Sequence, residues 1–421
     1  MTALNRIELQ TGFPHSCRHS DARLTAHEHI GFELGWDYAH YRVTPPAPYA
    51  QEPSPLQSGL LAGQAAFGAR TLAATRHVRK WLQLRLHAWL RGRSVELVQV
   101  TPNYLQQIDV SHCPITRLRL SSATLSVSDA SIDRVRNDAG YAAGNLAVMS
   151  TRANHAKAAC GFRDALRMAQ QVEAEPRQLL PAVTAEAVHA LPGLTAEAVH
   201  ALPGLTAEGV HALPGLTAEQ WSRVAVLCSF VEPLPHDEAC ALPLLVLPPN
   251  RLRLFNPVQA LQAFVSRQLL TPGWARRVSG FEELLPGKPL KRDFKSFFMA
   301  LLPRVLEGGR LGGTPRAPHA PETSQTPQAP HPPQTRWAIE DAWRSPLVQQ
   351  RWTRFARQLT AVQCEALLAR AAAHRLATAV IVPFSDASAT DGWNLDSRGY
   401  VAHARHATPH REPAAQGQFA W

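Results

Sequence analysis

A chain of 421 residues, 45% of them hydrophobic, can bury a sizeable core, and two or three domains are expected. Its apolar runs fall far short of the roughly 20 residues a bilayer helix needs, and its N-terminus has no basic-then-apolar layout, so membrane-spanning and secreted classes are not indicated. Lys and Arg outnumber Asp and Glu by 43 to 33, a formal net charge of +10 that favours polyanionic partners, while six scattered cysteines fit a reducing, cytoplasmic setting.

Residues 1–68 mix His, Pro and aromatic residues and form an N-terminal region without an assigned role. His15, Cys17, His19, Asp21, His27 and His29 follow no metal-ligand spacing. Gly35-Trp36-Asp37-Tyr38 reads as a structured turn or helix start, and 45–55 as a loop. From Arg76 to Arg91 the periodicity is helical, with Arg76, Arg79, Lys80, Gln83, His87 and Arg91 on one face and Val78, Trp81, Leu82, Leu86, Trp89 and Leu90 on the other. A core-anchored helix presenting a basic stripe to phosphates has this pattern, and so has a surface helix with a solvated face. Ser94–Val100 alternates as a strand would.

The densest run of landmarks lies between Cys113 and Lys157. It reads Cys113-Pro-Ile-Thr116, Ser131-Ile-Asp133-Arg134-Val, Gly140-Tyr141, Gly144-Asn145-Leu-Ala-Val-Met-Ser150 and Asn154-His155-Ala-Lys157. Ser131–Val135 alternates like a half-buried strand, and Leu146–Met149 is a second apolar run. Asn137-Asp138-Ala-Gly140 marks a turn with Gly140 free to take positive φ. Ser150 or Thr151 can cap a helix running towards Glu173. This order resembles the ββα-metal core of HNH-type endonucleases. The resemblance implies a ββα-metal finger in which Asp133 and Asn154 ligate Mg²⁺ or Mn²⁺, Asn145 tethers the turn, and the bound ion serves phosphodiester hydrolysis. Where the familiar pattern has a general-base His after the Asp, this chain has Arg134, which cannot give up a proton near neutral pH. Three readings follow: His112 or His155 substitutes as base, metal-bound hydroxide attacks directly, or the site binds nucleic acid and cuts poorly. In the catalytic reading Asp133, Arg134 and His155 carry the chemistry, Arg134 by steadying the scissile phosphate. Arg76, Arg79, Lys80, Arg91 and Lys157 then hold nucleic acid, and Asn145, Gly140 and Cys113 are structural. Cys113 lacks a second Cys-x-x-Cys pair, so a buried thiol and no structural zinc are expected.

Beyond the motif, residues 177–217 form a tandem-repeat linker of period eleven, restarting at Thr184, Thr195, Thr206 and Thr217, each unit a short helix stopped by Pro and Gly. Residues 218–312 read as a helical domain with Leu252, Leu254, Phe264, Leu269, Phe297, Phe298, Leu301 and Leu302 as core candidates. They also hold a second basic cluster at Arg276, Arg277, Lys288, Lys291, Arg292 and Lys295. A Pro/His-rich, flexible linker covers 313–336. The segment 337–400 carries Trp343, Val348, Trp352, Phe355, Leu359, Val362, Leu367 and Leu368 at helical spacing and should pack on 218–312. Val380–Phe384 is a candidate strand, Asp386, Asp391 and Asp396 are solvent-facing, and 401–421 is a disordered tail.

The expected class is therefore α+β, mostly α-helical, with a small ββα-metal finger in a multi-domain helical chain; residues 69–176 hold the basic helix and the finger. The expected function is that of a cytoplasmic HNH-like endonuclease, impaired at the general-base position. Its rivals are a non-catalytic nucleic-acid-binding protein and a protein-interaction protein working through the helical segments. DNA is favoured over RNA as partner, and no membrane partner is expected.

Overall fold

The structure, a computed structural model, describes residues 26–49, 53–174, 215–311, 333–376, 389–393 and 395. It is mostly helical, with one two-stranded antiparallel sheet. Helices α1 (Ala26–His40) and α2 (Pro55–Phe67) form a close pair because glycines line their contact. A Cβ on Gly35 would lie 1.9 Å from the Leu56 carbonyl oxygen. Gly35 thus sits inside a helix and not at its start; the residue that reads as a turn signal here permits backbone approach.

Helix α3 (Arg76–Leu90) begins at Thr75, whose hydroxyl accepts from the Val78 N–H. It is buried over a wider arc than the sequence pattern predicts, since Leu84 and Arg85 also face inward while Leu90 stays exposed. Arg85 tolerates this by pairing with Asp37 of α1 and lying 4.4 Å over the Trp81 ring. The expected strand at 94–100 reduces to one parallel bridge, Val95 to Tyr141. The chain then turns back, with the Val100 N–H on the Glu96 carbonyl, and enters α4 (Pro102–Ile108).

Strands β1 (Ala130–Arg134) and β2 (Leu146–Ser150) pair antiparallel with Ser131 opposite Met149 and Asp133 opposite Ala147. All five residues of β2 are buried because its two faces enter different cores. Leu146 and Val148 join the N-terminal cluster with Leu34, Trp81 and Trp89, and Ala147 and Met149 join the larger cluster of the helical body. Ser150 then caps α5 (Thr151–Lys157) through the Ala153 N–H. The continuous helix expected as far as Glu173 is broken here. Ala158 takes φ +45°, and α6 (Phe162–Ala174) restarts with the Phe162 N–H on Glu232 Oε1 at 2.8 Å.

The helical body comprises α7 (Ala218–Ser229), α8 (His236–Ala241), α9 (Pro257–Gln268), α10 (Trp274–Leu284), α11 (Lys288–Leu311), α12 (Pro333–Ala342), α13 (Pro346–Ala356) and α14 (Ala361–Ala373). Thr217, which opens the fourth repeat copy, forms a capping box with Gln220 at the start of α7. Residues 184–214, carrying the earlier copies, lie outside the described residues, as do the candidate strand at 380–384, Asp386, Asp396 and the tail. Helices α12–α14 pack on α8, α9 and α11, with Phe294, Phe297, Trp343, Trp352 and Phe355 in mutual ring contact. Val362, expected in that stripe, is instead 72% exposed. The proposed boundary at 217/218 does not separate two cores, because α6 packs on α7 and Cys113, Val135, Met149 and Phe162 share one apolar cluster with Trp221, Phe264 and Trp343.

Candidate functional site at the two-stranded sheet

The turn joining the strands is held from inside. Asn145, fully buried, accepts the Arg136 N–H on Oδ1 at 2.8 Å and donates from Nδ2 to the carbonyls of Arg136 and Gly140. Arg134 closes the same turn. Its Nη1 donates to the carbonyls of Asn137 and Ala139 at 3.0 and 2.7 Å, and its guanidinium lies 5.2 Å from the Tyr141 ring centre. Those donors are not directed at an external phosphate. Gly140 does not take positive φ; it is needed for space, since a Cβ there would lie 2.1 Å from Ser94 Oγ. The left-handed residue is Gly144, at φ +89°, where the Arg253 side chain crosses so closely that a Cβ would meet it at 2.2 Å.

Helix α5 packs against β1 and brings Asn154 and Lys157, one turn apart, to Ser131 and Asp133, two residues apart on the strand. Asn154 Nδ2 donates to Ser131 Oγ at 2.7 Å. Lys157 Nζ lies 3.0 Å from Asp133 Oδ2, an ionic contact without good hydrogen-bond alignment at that oxygen, and donates to the Arg134 carbonyl at 3.1 Å. Lys157 has no exposed surface and Asp133 only 4%. Lys157 therefore cannot meet nucleic acid, contrary to the sequence expectation. Burial pushes the Asp133 carboxyl up, with Lys157 pulling it back. At Lys157 burial works against the ammonium, but the attraction of Asp133 outweighs it, and the lysine keeps its proton beyond its usual range.

A divalent cation of the Mg²⁺ class prefers several oxygen ligands, with carboxylates supplying the charge. Here the single carboxylate is already neutralised by a buried ammonium, and Asn154 is hydrogen-bonded to Ser131. No group of three or more His, Cys, Asp or Glu suited to a metal occurs among the described residues. The residues present do not fit the ion. Neither candidate base hydrogen-bonds Asp133: His155 is exposed on α5, while His112 bonds Ser111 and meets the edge of Trp337. Cys113 is a buried free thiol whose sulfur accepts from the Thr116 N–H and the Ser150 hydroxyl, bracing the cap of α5.

The basic stripe of α3 divides by burial. Arg79 and Arg91 are exposed; Arg76 is 61% exposed and pairs with Asp109 at 3.3 Å. Lys80 instead donates to the Ala130 carbonyl at 2.8 Å, tying α3 to the first residue of β1, and burial lowers its pKa. His87 is also pushed down, by burial first and then by Arg91 and Lys80. In the second basic cluster Arg277 donates to the Leu376 carbonyl, while Arg276, Lys288 and Lys295 are exposed.

Two features escape a reading by motif. From Pro53 to Val95 the chain carries no Asp or Glu, yet holds Arg70, Arg76, Arg79, Lys80, Arg85, Arg91 and Arg93. The other is Trp393, in a stretch read as a solvent-facing loop. It is fully buried, its carbonyl accepts the Gly140 N–H at 2.7 Å, and its Nε1 donates to the Ala143 carbonyl at 3.1 Å. Arg253 Nη1 binds the carbonyls of Ala389 and Asp391, so residues 389–393 clamp the inter-strand turn. The one sequence signal is an isolated Trp in a polar stretch. Compared with protein-family models, curated proteins and solved structures, the chain matches none.

Proposed function

We propose that this chain is a nucleic-acid-binding protein built around an HNH-like ββα element whose cation position is filled by its own lysine, so that it holds nucleic acid without hydrolysing it. The observation that carries this reading is the fully buried Lys157 ammonium between Asp133 Oδ2 and the Arg134 carbonyl. A tethered monovalent cation neutralises the carboxylate but cannot activate water or steady a leaving alkoxide as a divalent ion does. Affinity would come from Arg79, Arg91 and the acid-free segment around them through release of counterions from phosphates. DNA is the partner we favour, in the cytoplasm; no described helix is long and apolar enough to cross a membrane.

One observation favours the nuclease reading. Asn154 reaches β1 at Ser131, two residues from Asp133, the carboxylate that the HNH resemblance sets with it as ligand. A plasmid-nicking assay with Mg²⁺ or Mn²⁺, run beside salt-dependent retention of labelled DNA, separates the two. Retention that falls steeply with salt and no nicking is the expected result. Nicking that disappears in Asp133→Ala would overturn it in favour of an HNH-like endonuclease.

A further inference from the structure

A strip of aromatic rings runs along the outside of α1 and α2. Phe32 and Trp36 have ring centres 6.5 Å apart, Trp36 meets Phe67 at 5.0 Å, and Phe67 stacks on His40 at 4.4 Å with 12° between the planes. His40 continues to Tyr41 at 5.1 Å, and Tyr41 meets Trp81 of α3 at 6.3 Å. Phe32, Trp36 and Phe67 are half-buried, yet they belong to neither apolar core of the described residues. The fold has gathered three large rings without using them in its cores.

Cations border the strip. The Arg70 N–H donates to the Phe67 carbonyl at 2.8 Å and the Leu72 N–H to the His40 carbonyl at 2.8 Å, so residues 70–72 run alongside the stacked pair. Arg70 is exposed, as is Arg42, two residues beyond His40. The acids of α1 nearest the rings are engaged, Glu33 with His29 and Asp37 with Arg85. The chain leads from Phe67 and Arg70 into α3, which carries the exposed Arg76 and Arg79. Duplexes hide the faces of their bases, whereas unpaired bases stack on aromatic rings and arginine planes with little regard to sequence.

We propose that Phe32, Trp36, Phe67 and His40, rimmed by Arg42 and Arg70, form a stacking platform for unpaired bases, and that the protein binds single-stranded nucleic acid in preference to duplex. This rests on the nucleic-acid reading above. The test is fluorescence anisotropy of the full chain with a labelled mixed-sequence oligonucleotide of about 20 nucleotides, single-stranded or annealed to its complement, long enough to cover one binding site. The parent should bind the single strand more tightly. Trp36→Leu/Phe67→Leu, which keeps apolar side chains but removes the rings, should weaken single-strand binding roughly tenfold or more and leave duplex binding within about twofold. Arg42→Gln/Arg70→Gln, at exposed positions that cannot disturb a core, should weaken the single strand several-fold more than the duplex. Arg79→Glu/Arg91→Glu should weaken both. If the last variant lowers both while the ring and rim variants lower neither or lower both equally, the stacking platform is wrong and the nucleic-acid reading stands. If Arg79→Glu/Arg91→Glu changes neither, or the parent binds neither oligonucleotide, both fall.

Discussion

Strand β1 has a charged region at each end of its influence, and the two differ in one respect. The pair Asp133–Lys157 is enclosed between α5 and the helical body, while the outer face of α3, joined to β1 through Lys80, meets solvent at Arg79 and Arg91. An enclosed charge must be neutralised within the protein, so its partner is fixed by folding; an exposed one is left for a ligand. The motif directs attention to Asp133, which is enclosed with its counter-charge, and the exposed cations lie on a neighbouring helix.

The difference between the two regions is greatest at Lys157. Lys157→Met, leaving the Asp133 carboxylate enclosed without a counter-charge, should cost about 3–5 kcal/mol in urea unfolding, and adding Asp133→Leu should return most of it. A single variant as stable as the parent would mean that the pair is solvated. Trp393→Ala should cost a similar ~3–5 kcal/mol, because the ring is fully buried against Phe255 and Arg253 and anchors the clamp on the inter-strand turn. Asn145→Ala should cost about 1–3 kcal/mol by leaving enclosed groups of the turn unpaired. An unchanged denaturation midpoint would remove Asn145 from its tethering role.

Alkaline pH acts on the enclosed pair and not on the exposed arginines. The Lys157 pKa is raised above its ordinary 10.5, so its contribution to stability is fully present below that value and is lost as pH rises through the higher folded value. Thermal melts of the parent should fall over that window, and the gap to Asp133→Leu/Lys157→Met should change there. A gap constant with pH would rule out Lys157 as the titrating group. The smallest effect on stability belongs to the exposed region: Arg79→Glu/Arg91→Glu should shift unfolding by less than about 0.5 kcal/mol while lowering the salt dependence of nucleic-acid retention by about two phosphate contacts. A large loss of stability there would show that α3's outer face is structural.

The legible parts of the sequence were the local ones. The existence of β1, the apolar run of β2, the cap at Ser150 and the helical spacing of 337–376 all follow from residues within one or two turns of each other, although in β1 the buried residue is Asp133 and not Ile132. Misreadings came where a residue serves a distant partner. Gly140 looks like a left-handed turn residue and is a contact with Ser94; Gly35 looks like a turn and lies in a helix facing Leu56; Trp393 looks like part of a loop and fills the space behind the turn at 140–143.

The amino-acid sequence by itself determined a mostly helical chain with one small hairpin, a cationic helix at 76–91, and the order of landmarks from Cys113 to Lys157, because propensity, periodicity and net charge are properties of short segments. Only the tertiary structure decided that the same landmarks lie between two cores, that Lys157 neutralises Asp133, and that three aromatic rings remain outside both cores of the described residues. Burial and counter-charge are set by what packs opposite, and what packs opposite here comes from α1, α7 and residues 389–393, far away along the chain.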